Sequence, residues 1–237
     1  MDTASPPRAP LATLLPSIFA GRARPALEAL VAIERELRLA TRPGIEHSVA
    51  HAKLGWWRAE VERLCARVPQ HPLTRTLHGY AGGAPDWALL HERLAAADLA
   101  LGGALPANGT ALEAYLYRSH GALCQLGAQL LAGGRSDSLS RFGALLGRGL
   151  GLAELRAGGL AAADTKERAL ERLAMAEAVL LPSDRARQAP ALVAAALARA
   201  TLARPAQAPA PAAIVQLWIA WRAARRATRD ARSKSEP

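Results

Sequence analysis

The chain has 237 residues, 51% of them hydrophobic and 21% charged, which is too apolar for a disordered segment and long enough to bury one sizeable core. Lys and Arg outnumber Asp and Glu 30 to 20, for a net charge of +10, so anionic partners such as lipid headgroups or diphosphate-bearing ligands are favoured. No zinc-finger spacing or aromatic-rich motif accompanies that charge, so nucleic acid is not expected as a partner. Ala, Leu, Arg and Glu prevail over Ile, Val, Phe and Tyr, a composition in keeping with a GC-rich genome and one that favours helix over strand.

The opening "MDTASPPRAPLATLLPSIFAGRARP" lacks a long apolar stretch and carries prolines at 6, 7, 10 and 16. It reads as a flexible arm over 1–11 rather than a secretory signal. No apolar run reaches the roughly 18 residues of a membrane span. Cys65 and Cys124 lie far apart in apolar surroundings and read as buried free thiols of a reducing, cytoplasmic compartment.

Residues 26–40 predict a helix with Leu27, Leu30, Val31 and Leu37 on its apolar side, ended by Arg42-Pro43-Gly44. A second runs from Ile45 to Val68, its apolar positions Ile45, Val49, Ala52, Trp56, Val61, Leu64, Cys65 and Val68 recurring at helical spacing. Helices follow over 73–79 and 86–101. Thr110 and Glu113 make a capping box for a long helix that Gly133-Gly134 closes. The helix over 138–156 is loosened by Gly143, Gly147, Gly149 and Gly151. Asp164 and Glu167 cap the next, which reaches Leu181, and 188–203 and 211–229 complete the set across the linker "RPAQAPAPA". The expectation is an all-α, single-domain bundle over 12–229 with a disordered tail over 230–237.

Several blocks stand out in that layout: "RPALEALVAIERELR", "KLGWWRAEVERLCARVPQHPLTRTL", "ADLAL", "ALEAYLYRSHGAL" and the late "LWIAWRAARRA". In order and spacing they resemble the squalene/phytoene synthase family over roughly residues 12–226. The W-W-R-x-E helix leading into His71-Pro72 is the most specific of them. The resemblance implies the isoprenoid-synthase type of bundle, a helical cup around a central apolar cavity. It also implies head-to-head joining of prenyl diphosphates through a cyclopropyl intermediate. Ionising a diphosphate calls for Mg²⁺, which wants carboxylate oxygens in octahedral geometry, and the family supplies them from two aspartate-rich motifs.

The chain departs from the family at both motifs. Its seven aspartates are never closer than twelve positions, so no D-x-x-x-D exists. Glu34 and Glu36 stand where the first motif would lie, flanked by Arg35 and Arg38; Glu154 stands near the second, with Arg156 close by. An arginine beside such a carboxylate competes with a metal. Glu34, Glu36 and Glu154 are the candidate diphosphate- or metal-facing residues. Trp56, Trp57, Arg58, Tyr115, Arg118 and Gly121 are candidates for the cavity wall, with plain packing open as the alternative for the tryptophans, Tyr115 and Gly121, and a solvated or glutamate-paired side chain for Arg58. Trp56 and Trp57 point about 100° apart on a helix, so one belongs to the core and the other to a cavity or boundary. His47 and His51 lie at i, i+4, but "HSVAH" lacks the glutamate and third ligand of a zinc motif.

The expected function is that of a squalene/phytoene synthase-like protein without conventional prenyl transfer, binding an isoprenoid or another lipid, or serving as an assembly factor for a partner protein. One alternative is an active prenyltransferase with unusual Mg²⁺ ligands. Another is a peripheral membrane scaffold, in which Trp218, Ile219 and Trp221 with Arg222, Arg225, Arg226 and Arg229 lie on an anionic membrane. Only the prenyltransferase alternative calls for Mg²⁺.

Overall fold

A three-residue 3-10 turn, Gly21–Ala23, feeds helix α1 (Arg24–Ala40). Pro25 sits in the first turn of α1, where a missing N–H costs no intrahelical bond. Ala26, Ala29, Leu30, Ile33, Leu37 and Ala40 recur at helical spacing and are buried. Next come α2 (His47–Cys65), α3 (Pro72–Tyr80) and α4 (Leu89–Leu101). A long central helix is built from α5 (Gly109–Leu116), a π turn (Tyr117–Gly121) and α6 (Ala122–Ala132). Gly133 ends it in the left-handed conformation at φ 70°, as the Gly-Gly pair predicts. The Ser136 hydroxyl accepts the Leu139 N–H at 3.2 Å and caps α7 (Asp137–Ala157). The set closes with α8 (Thr165–Val179), α9 (Ala189–Leu202) and α10 (Ala213–Arg232). This computed structural model describes residues 16–80, 83–103, 106, 109–159, 164–205 and 211–232. Among them there is no strand, and the protein is an all-α bundle. The arm expected over 1–11 and the middle of the proline-rich linker lie outside the described residues, as does most of the expected tail; residues 230–232 continue α10.

Two apolar cores form, one on each side of the central helix. Leu30, Ile33, Leu37, Leu54, Trp57, Leu64, Leu90 and Leu94 fill the first, from α1, α2 and α4, closed by Leu126 and Leu130 of α6. Leu116 of α5 joins Phe142, Leu146 and Leu152 of α7 in the second, with Leu173 of α8 and Val193 of α9. Burying a leucine of this kind stabilises by roughly 1.5–3 kcal/mol.

The α7 glycines act opposite to their expected loosening effect. A Cβ on Gly147 would lie 2.5 Å from the Gly121 N and Cα, one on Gly143 2.3 Å from the Gln125 Cα, and one on Gly151 2.7 Å from a Leu116 methyl. At i, i+4, i+8 they share one face, and their missing side chains let α7 press against the central helix. Gly149 faces α8 instead, 2.9 Å from Leu173 by the same construction.

Three local expectations are corrected. The buried face of α2 is Ala50, Leu54, Trp57, Glu60, Val61 and Leu64, whereas Val49, Ala52, Trp56, Cys65 and Val68 are exposed. The two expected capping boxes do not form. Helix α5 starts at Gly109, which places Thr110 inside it, and the Glu113 carboxylate accepts from Arg168 at 3.0 Å and Arg172 at 3.4 Å. Asp164 makes no side-chain cap bond and lies 3.9 Å from Arg168. The Glu113 carboxylate is taken up by arginines of α8 rather than by a backbone N–H at the start of its own helix. Finally, Cys65 is exposed and Cys124 is partly buried, burial pushing the Cys124 thiol up to about 12.

Candidate functional site

Glu34 lies on α1 beside core residues Ile33 and Leu37 and is largely buried. Arg93 of α4 grips it from across the first core, its Nε donating to Oε2 at 2.6 Å and its Nη2 to Oε1 at 3.1 Å. Only 8% of the Arg93 side chain is exposed, so this two-pronged pair is shielded and strong for its kind. One turn beyond Glu34, Arg38 donates from Nε to Oε1 of Glu34 at 2.5 Å. Its other two nitrogens reach across the bundle to Glu154 of α7, Nη1 to Oε1 and Nη2 to Oε2, the latter at 2.9 Å. His120 completes the row: its Nε2 is 3.0 Å from Glu154 Oε2 and its Nδ1 is 2.8 Å from the Ser119 hydroxyl. The π turn widens the helix by one residue per turn locally and sets Ser119 and His120 at this seam.

A continuous chain therefore runs Arg93–Glu34–Arg38–Glu154–His120–Ser119, drawn from α1, α4, the π turn and α7. It bridges the two apolar cores. The hydrogen bond to Glu154 pushes the Arg38 guanidinium above its ordinary range, against the opposing effect of burial, with the charges of Glu34 and Glu154 adding to the rise. Burial would push the Glu154 carboxyl up, but hydrogen bonds from His120 and Arg38 outweigh it and hold the group well below the usual carboxylate range. Burial pushes the Tyr115 hydroxyl up, with the charges of Arg93 and Arg38 lowering it and those of Glu154 and Glu34 raising it.

Glu34 and Glu154 are thus brought together from opposite sides of the bundle, with Arg38 between them. Each carboxylate is engaged by at least two donor groups. Mg²⁺ needs several hard oxygens free to face it, and this donor set does not fit it while Arg38 holds that place. Among the described residues, no group of three or more His, Cys, Asp and Glu is placed to hold a metal. Glu36 is exposed on α1 and stands apart from the network, two positions and about 200° round the helix from Glu34.

The remaining candidates divide. Trp57 is core and Trp56 is 46% exposed. Both rings meet His71 edge to face, at 5.1 and 5.5 Å between centroids, and each other at 5.2 Å. Arg58 is ion-paired with Asp98, and Arg118 with Glu92 at 3.2 Å. Gly121 is a packing point: a Cβ there would lie 2.8 Å from the Tyr117 ring and 3.4 Å from the Ala144 carbonyl oxygen. Among the cavity-wall candidates, Gly121 follows His120 of the network directly in the chain, and Tyr115 is within reach of the network's charges.

Glu60, the last residue of W-W-R-x-E, connects that block to His71-Pro72. Its side chain is fully buried. It accepts the backbone N–H of Gln70 at 2.9 Å and of His71 at 2.8 Å, the Thr74 hydroxyl, and the Arg63 Nε at 2.8 Å. Burial alone would raise its carboxyl, but the Thr74 hydroxyl, the two N–H groups and Arg63 lower it to about 2. The block ties α2 to the start of α3.

Sequence reasoning missed Arg93, Ser119 and the partnership of His120. Arg93 carries no local signal, because its mate lies 59 positions away. No family model, curated protein or solved structure matches the chain.

Proposed function

We propose that this protein is a catalytically degenerate bundle of the squalene/phytoene synthase type, which binds an isoprenoid or another lipid, or a partner protein, without prenyl transfer. One observation carries the reading: the guanidinium of Arg38 stands between Glu34 and Glu154, two of the three carboxylates that the resemblance would turn toward a metal. A charged side chain held there does for the fold what a metal ion would do for a pair of carboxylates, but it cannot accept a diphosphate leaving group as an open Lewis acid does. The W-W-R-x-E…H-P block is the most specific mark of that likeness, and in this chain Glu60 uses it to tie α2 to the start of α3.

The test is direct. Purified protein incubated with farnesyl or geranylgeranyl diphosphate, Mg²⁺ and NADPH is expected to yield no squalene or phytoene by mass spectrometry. Turnover that disappears in Glu34→Gln would overturn the reading. A neutral isoprenoid such as farnesol is expected to raise the Tm, and an unchanged Tm removes the isoprenoid from the proposal and leaves the partner protein.

A further inference from the structure

Helix α10 has two apolar sides. Gln216, Ala220, Ala224 and Ala227 are buried, the alanines packing into the second core against α9. On the other side Ile214 is 72% exposed, Trp218 53% and Trp221 51%, with Val215 and Leu217 each 44% exposed. At about 100° per residue, Ile214, Trp218, Trp221 and Arg225 fall within one narrow stripe. Five large apolar side chains of one helix left in water need an occupant.

Charge identifies it. The same outward side carries Arg222, Arg225, Arg226 and Arg229, all exposed. No carboxylate among the described residues pairs with any of them, and Asp230 turns to Arg185 at 3.6 Å. Arg222 lies over the Trp218 ring at 5.0 Å and Arg225 over Trp221 at 4.8 Å, so cation and aromatic are presented together. Beside them a cleft of about 300 Å³ opens between α9 and α10, floored by Ala196, Ile219 and Ala223 and rimmed by Trp218, Arg222 and Arg226. Apolar residues gather toward the N-terminal half of the stripe and arginines toward the C-terminal half.

We infer that the outward face of α10 is a docking surface for an anionic lipid bilayer. Tryptophan settles at the headgroup level, where its ring is apolar and its N–H stays wet. Arginine there adds attraction to anionic headgroups, each worth about a kcal/mol near the surface. Ile214, Val215 and Leu217 bury in the acyl boundary, which a nucleic acid would not provide. No described helix is long and apolar enough to cross a membrane, so the contact is peripheral. The inference does not depend on the Glu34–Arg38–Glu154 network or on the function proposed from it.

Flotation of the full chain with phosphatidylcholine vesicles, with and without phosphatidylglycerol, tests the surface. Binding is expected only to the phosphatidylglycerol vesicles. It should weaken at least about tenfold in Trp218→Ser/Trp221→Ser and in a protein with Arg222, Arg225, Arg226 and Arg229 all changed to Gln. These side chains are exposed, so the helical circular dichroism should be unchanged. As a check on the unaltered protein, acrylamide quenching of tryptophan fluorescence should fall when anionic vesicles are added. No binding to phosphatidylglycerol vesicles, equal binding to neutral ones, or quenching that vesicles leave unaltered would overturn the inference. Tighter binding to a DNA duplex than to vesicles, indifferent to the tryptophan changes, would assign the arginines to nucleic acid instead.

Discussion

Replacing Glu60 with Gln removes the charge from a carboxylate that four donors surround without solvent. The folded protein holds this group at about 2, against an ordinary value of 4.5. At about 1.4 kcal/mol per pH unit, that depression corresponds to roughly 3–4 kcal/mol of stability. Because the folded value is the lower one, the contribution is fully present above about pH 4.5 and is lost as pH falls toward 2. Gln keeps one acceptor oxygen but turns an NH₂ group toward Arg63 or a backbone N–H, so the cost at pH 7 is expected to be about 2–4 kcal/mol. Urea unfolding followed by circular dichroism at pH 7 measures it directly. A second series from pH 5 to pH 2.5 should show the unaltered protein losing stability more steeply than Glu60→Gln, so that the two curves converge. A difference below about 0.5 kcal/mol at pH 7, or two parallel pH profiles, would refute the role assigned to Glu60.

The tryptophan pair should separate by burial: Trp57→Ala is expected to cost about 3–5 kcal/mol in chemical denaturation, and Trp56→Ala under about 1 kcal/mol. Equal costs would contradict the inward placement of Trp57 alone. Gly147→Ala should destabilise by about 1–3 kcal/mol, since a Cβ 2.5 Å from the Gly121 backbone forces α7 away. Gly55→Ala, with open space around it in the middle of α2, should stabilise by about 0.5–1 kcal/mol; a Gly147→Ala protein with an unchanged Tm would rule out the close approach. Arg38→Ala should cost about 1 kcal/mol, kept small because the side chain is half-exposed. It should also gain a Mg²⁺-dependent rise in Tm, and an equal rise in the unaltered protein would show that Arg38 does not block the carboxylates.

The helices were readable because alanine and leucine repeat at helical spacing and glycine and proline mark their ends. Helix α1 is the clear case: Leu30 and Leu37 lie on its buried face, as their spacing requires. Helix α2 was harder. Ile45, Val49, Ala52 and Trp56 make an equally plausible stripe, and a buried Glu60 looks like a solvent residue until its partners at 70, 71 and 74 are known. The candidate carboxylates Glu34 and Glu154 were identifiable as positions, and arginine competition was foreseeable from Arg38 being one turn from Glu34. That Arg38 also grips Glu154 could not be read, because 116 positions separate them and only the fold brings them together. The glycines of α7 look like helix weakeners in isolation, and their use appears only once the central helix lies against them.

The cation at the seam is covalently part of the chain. A carboxylate pair bridged by a divalent ion responds to the free concentration of that ion and lets go when a chelator takes it. Arg38 cannot diffuse away. It is present in every molecule, at every metal concentration, from the moment the chain is made, and its charge does not titrate in any physiological range. The α1–α7 junction therefore does not depend on the free concentration of any ion, and chelators should leave its stability unchanged.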